Sequence, residues 1–105
     1  MMRKLSLIFA APIVVLVSLA ATERAWAYKG ESLAKLATIS LSQARHIALQ
    51  TFPGSIIDEE LEKEPGGSGL RYSFDIRHGK LVHEVGIDAV DGKVLENADD
   101  SNAKD

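Results

Sequence analysis

At 105 residues the chain has room for one domain, which excludes most multi-domain enzymes. It contains no cysteine, so disulfides, thiolate metal sites, cysteine nucleophiles and a lipid-anchored cysteine are excluded. Net charge is −3, and without residues 1–27 the remainder carries 9 Lys/Arg against 14 Asp/Glu, a net −5. That balance argues against nucleic acid or an anionic membrane as the main partner, because both reward clustered Lys and Arg.

Residues 1–27 read as a signal peptide. Arg3 and Lys4 form a short positive opening, and residues 5–21 are apolar apart from Ser6, Pro12 and Ser18. Ala25-Trp26-Ala27 then offers small residues at the two positions a signal peptidase must accept. Ala25 and Ala27 are the expected recognition residues, with cleavage before Tyr28 and a periplasmic or secreted product. The competing reading is a retained anchor, since a largely apolar stretch of 17 residues just reaches the shortest membrane spans. The Ala-x-Ala site favours cleavage.

The rest divides into an expected linker at 28–38, a folded unit at 39–96 and a flexible acidic tail at 97–105. Leu33 and Leu36 give the linker the option of a helical turn. Ser40-Leu41-Ser42-Gln43 is a capping box, in which the Ser40 hydroxyl and the Gln43 amide each satisfy the other's backbone N–H. Leu41, Ala44, Ile47, Ala48 and Thr51 follow at spacings of three and four, one apolar stripe of a helix. Pro53 disfavours helical geometry at Phe52, so the helix should stop near Thr51.

A sheet is expected beneath that helix. Residues 55–64 read as an edge strand with Ile57 and Leu61 on one face and Ile56 with acids on the other. After the Gly-rich turn 65–69, Leu70, Tyr72, Phe74 and Ile76 alternate with Arg71, Ser73, Asp75 and Arg77. His78-Gly79 is the expected hairpin turn. It would set Ile76 against Leu81, Phe74 against His83, Tyr72 against Val85 and Ser73 against Glu84, with Arg71 diagonal to Glu84. Residues 88–92 turn the chain again, and 93–96 form a short last strand. The expected class is α+β, one main amphipathic helix packed on a small antiparallel sheet of three to four strands.

In order and spacing, several of these segments resemble a PepSY domain. They are Ile39-Ser40, the Ala44-to-Ala48 helix pattern, Pro53-Gly54, the Tyr72/Phe74/Ile76 strand, and Asp88-Ala89-Val90-Asp91-Gly92-Lys93-Val94-Leu95. The resemblance covers about 58 residues. Such domains occur in propeptides of thermolysin-like metallopeptidases, in spore-germination proteins, in membrane proteins and as small exported proteins. The resemblance implies inhibition or modulation of a peptidase through protein binding, with no catalytic residues to carry over. Two departures stand out: Asp91 where Thr is common, and Gly86 where a larger strand residue is usual, the mark of a bulge or weak spot.

Other chemistry is weakly signalled. His46, His78 and His83 do not share a metal-ligand spacing, so no metal and no cofactor is expected. His83, on the expected core face, would be sensitive to acid if buried against Phe74. Asp58, Glu59, Glu60, Glu62 and Glu64 read as a solvated edge that resists strand-to-strand aggregation, with an acidic docking edge for a basic partner as the sharper alternative. Asp88 and Asp91 read as turn formers. No serine sits in a Gly-x-Ser-x-Gly elbow, and 66–69 lacks the ending of a phosphate loop. So short a chain leaves little room for a pocket of about 300 Å³ or more. The expected role is a non-enzymatic protein-binding module whose partner is a peptidase. The alternatives are an envelope accessory or scaffold protein and a binder of a small ligand or metal.

Overall fold

The computed structural model describes residues 27–102, and the signal-like segment with Ala25 lies outside them. Helix α1 runs Leu41–Thr51. Its capping box forms as the sequence dictates: Gln43 N–H donates to Ser40 Oγ at 3.0 Å and Ser40 N–H to Gln43 Oε1 at 2.8 Å. At its other end Phe52 is already extended (φ −143°, ψ 99°), as the following proline requires.

Four strands follow, β1 (Ser55–Lys63), β2 (Leu70–His78), β3 (Leu81–Asp88) and β4 (Val94–Asp99). They form one antiparallel sheet in the order β1-β2-β3-β4. Helix α1 lies on one face, where Ala44 and Ala48 bring its backbone close to the sheet. Beneath it sit Leu61, Leu70, Tyr72, Phe74, Ile76, Val85 and Ile87, each buried to within a few per cent of its surface. The Tyr72 hydroxyl does not go unpaired in this core, since it donates to the Ile39 carbonyl at 2.9 Å.

The hairpin register differs from the expected one by two residues. His78 pairs with Leu81, so the turn is Gly79-Lys80, with Gly79 at φ +64° supplying a conformation that His78 would adopt at a cost. Phe74 therefore faces Val85, Ile76 faces His83, Tyr72 faces Ile87 and Asp75, in place of Ser73, faces Glu84. A shift of two preserves the pleat, so every side chain keeps its expected face while changing its neighbour.

In β1 a bulge between Ile56 and Asp58 exchanges the expected faces of Ile56 and Ile57 and leaves Leu61 on its expected side. Ile56 packs toward the core and Ile57 is 47% exposed, with Leu61 restored to the core side beyond the bulge. A second irregularity lies between Gly86 and Ile87, the bulge among the two expected meanings of Gly86, bulge or weak spot. Residues 28–38 do more than connect. Glu31–Leu36 is a 3₁₀ helix, Lys29 pairs with Glu60 as a short parallel bridge, and Leu61 N–H donates to the Lys29 carbonyl at 2.9 Å. Gly30 makes this approach feasible, because a Cβ there would run into the Leu61 carbonyl oxygen. At the other end β4 extends to Asp99, into the stretch expected as tail.

Candidate functional site

Pleating sends alternate residues of each strand away from α1, and among the described residues no other helix or strand covers them. The helix-free face carries Arg71, Ser73 and Asp75 from β2, opposite Asp88, Gly86 and Glu84 of β3. On one flank Asp58, Glu60 and Glu62 of β1 stand opposite Asp75, Ser73 and Arg71. On the other, Glu96 and Ala98 of β4 stand opposite Gly86 and Glu84. The acidic run expected along an edge is thus sorted by the pleat of β1. Glu59 points to the helix side and takes a bidentate contact from Arg45 at 2.9 and 2.7 Å, while its neighbours join the helix-free face.

Arg71 lies across this face and is 8% exposed. Its Nη1 sits 3.2 Å from Glu96 and 3.6 Å from Glu64, and its Nη2 donates to the Pro65 carbonyl at 3.2 Å. The expected diagonal pairing with Glu84 is replaced by these contacts, because the register shift sets Arg71 opposite Asp88. Gly86 gives the side chain its path, since a Cβ there would lie 2.9 Å from Arg71 Cδ. Arg71 Nε is buried without an acceptor, an arrangement that costs about 1–3 kcal/mol.

Farther along the face, ligand-type oxygens of Asp75, Glu84 and Asp100 all lie within 4.8 Å of one another. No cation answers them: the ion pairs found among the described residues are Lys29–Glu60, Arg45–Glu59, Arg71–Glu64 and Arg71–Glu96. Burial, then repulsion from Glu96, Asp75 and Asp100, pushes the Glu84 carboxyl up to about 7. Asp75 is also raised, by burial first and then by Asp100 and Asp58. Sequence reasoning missed this cluster because it needs the true register to set Asp75 against Glu84. It also needs a strand that carries Asp100 back to β3, where its N–H donates to the Val82 carbonyl at 2.7 Å.

Asp88 has a different role. It is fully buried and accepts from Ser68 N–H (2.6 Å), Ser68 Oγ (2.8 Å), Val90 N–H (2.8 Å) and Asp91 N–H (3.3 Å). Burial alone would raise its pKa, but these donors outweigh it and hold the group at about 2. The residue clamps the Gly-rich turn to the β3–β4 turn, a stronger form of the turn role expected for it.

The histidines do not converge. His46 is exposed on α1, while His83 is half-buried, its ring stacked on Phe52 (3.8 Å between centroids, 5° between planes) and its Nδ1 2.7 Å from Asn97 Oδ1. Phe52, not the expected Phe74, is the aromatic neighbour of His83, and His78 meets the same ring edge-on at 6.2 Å. Ala27 is exposed at the start of the described chain and lines an open groove of about 550 Å³ with Tyr28, Lys29 and residues 56–59. The groove exceeds the room expected for a pocket. It exists because the bulge lifts Ile57 out of the sheet beside the incoming chain.

One helix on a four-stranded antiparallel meander, with a polar face turned away from the helix, defines a small α+β module. The family model for the peptidase propeptide and YPEB domain, PepSY, matches residues 38–97, and the chain belongs to that family. No curated protein and no solved structure matched it. Among the described residues no helix is long and apolar enough to cross a membrane.

Proposed function

We propose that the chain is an exported, non-enzymatic PepSY module that binds another protein, a peptidase, and restrains or modulates it. The observation that carries this reading is the family match, which extends over α1 and all but the end of β4. Peptidase propeptides give that family its description, and a propeptide acts by occupying surface rather than by chemistry of its own. The acidic balance of the chain supports a protein partner over nucleic acid. Export rests on Arg3, Lys4 and the Ala25-Trp26-Ala27 site, and places the partner in the periplasm or outside the cell.

The test is a crosslinked pull-down with tagged chain as bait in the native envelope extract, followed by peptidase assays. Recovery of a peptidase whose activity changes in proportion to added bait is the expected result. Stable complexes with non-peptidase proteins alone would overturn the modulator reading in favour of an envelope scaffold.

A further inference from the structure

We propose that the groove beside β1 holds the side chain of Trp26, so that the folded domain covers the cleavage site of its own precursor. The docking stands on the geometry of the groove; its consequence for export rests on the signal reading above.

The groove is a product of the bulge. Ile57 is the extra residue of β1, left without a partner on β2 and 47% exposed. Residues 56–59 form one wall and Ala27, Tyr28 and Lys29 the other, around a volume of about 550 Å³. The other exposed large apolar residues, Leu36, Leu81, Val90 and Val94, do not line it.

The path of the chain names the occupant. Lys29 pairs with Glu60 in parallel, so the chain upstream of Lys29 runs back beside β1 in the same sense. Counting back from that bridge sets position 28 beside Glu59, 27 beside Asp58 and 26 beside Ile57. The lining agrees with the first two steps, since Tyr28, Glu59, Ala27 and Asp58 all border the groove. An extended chain alternates its side chains, which puts Trp26 on the same side as Tyr28, and Tyr28 already packs against the core. The residue that arrives beside the exposed Ile57 is thus the chain's only tryptophan, a large apolar surface with a polar edge suited to an open groove. Because it is joined directly to the groove's wall, its effective concentration there is about millimolar, more than a free segment of a partner or a second copy reaches.

Trp26 stands between Ala25 and Ala27, the two small residues that a signal peptidase must accept. With Trp26 laid on Ile57 that stretch is closed to the enzyme, so cleavage either precedes folding or waits for the groove to open. A chain that folds first keeps its apolar N-terminal segment.

The full chain in detergent micelles tests this directly, because its only indole is the occupant. Trp26 emission should be blue-shifted and shielded from acrylamide. Ile57→Asp should abolish both effects, and Leu81→Asp, at an exposed apolar residue beside the β2–β3 turn, should change neither. With p-benzoylphenylalanine in place of Trp26, photocrosslinks to residues 56–59 of the same chain are expected. Adducts with detergent alone, adducts joining two copies, or emission indifferent to Ile57→Asp would overturn the proposal. Added signal peptidase should cut Ile57→Asp and Trp26→Ser each about tenfold faster than the parent, with no further gain when the two are combined. Trp26→Ser lies outside the folded unit, so its rate decides the matter even where Ile57→Asp unfolds the domain. Equal rates in parent and variants would overturn the shielding. Crosslinks to 56–59 with no cleavage of any variant would overturn the export reading and leave the docking standing.

Discussion

The two faces of the sheet are built from the same strands and obey opposite rules. Under α1, Phe74, Ile76, Val85 and Ile87 are shut off from water completely, and the ion pair on that side, Arg45 with Glu59, is bidentate and self-sufficient. On the other side acids outnumber bases, a buried guanidinium leaves its Nε–H without an acceptor, and burial among acids pushes one carboxyl up to about 7. One face is complete as folded and the other is unfinished. Alternation in a strand thus separates stability from availability at the level of single residues.

The sharpest way to break this contrast is to cut into the covered face. Phe74→Ala should cost about 3–5 kcal/mol, enough to unfold much of so small a domain in urea melts, whereas Ser73→Ala one position away should cost about 1 kcal/mol for its bond to Glu62. Next comes the clamp that ties the sheet's turns together. Asp88→Asn places an amide donor against Ser68 N–H or Oγ and should cost about 2 kcal/mol or more, read by the same melts. Because the Asp88 carboxyl is lowered from 3.8 to about 2, its contribution is present above pH 4 and is lost as pH falls toward 2. An acid titration of the parent should show that loss, and the Asn variant should not.

Glu84 has the opposite sign. Its folded pKa, raised to about 7, lies above the unfolded one, so the folded state holds a proton that the unfolded state releases. The native state is favoured at acid pH and loses that advantage as pH rises from about 4 through 7. Glu84→Gln should therefore raise the melting temperature by several degrees at pH 8 and leave it nearly unchanged at pH 4. The smallest effect belongs to the covered face's ion pair: Arg45→Met should lose about 0.5–1 kcal/mol, since the Arg45 side chain is 41% exposed. Chemical denaturation at low and high salt would resolve it.

What was legible in the sequence was what depends on near neighbours. The capping box, the stop before Pro53 and the alternation of β2 each involve residues within a few positions, and each formed as read. Register was not legible to the same degree, because two turns can be drawn through Gly79 and the choice between them also rests on how whole strands nest. The β1 bulge was hidden for a related reason. Ile56 and Ile57 are chemically alike, and only the rest of the core decides which of them turns inward. The candidate site inherits both gaps: its residue types were visible as an acidic run and a polar strand face, but their convergence with Asp100 required contacts 16 and 25 positions apart.

The meander order of the sheet also bears on how the chain reaches this state. Each strand pairs with the one just before it, so the main loops to be closed are short and carry little entropic penalty. Topologies of this kind reach the native state on the order of milliseconds. A chain that crosses a membrane unfolded would form its hairpins one after another as they emerge, β1 with β2 and then β3, while α1, already across, waits to cover them. For a chain exported as proposed, vectorial delivery and strand order would run in the same direction, leaving little time for a half-built sheet to meet the edge of another.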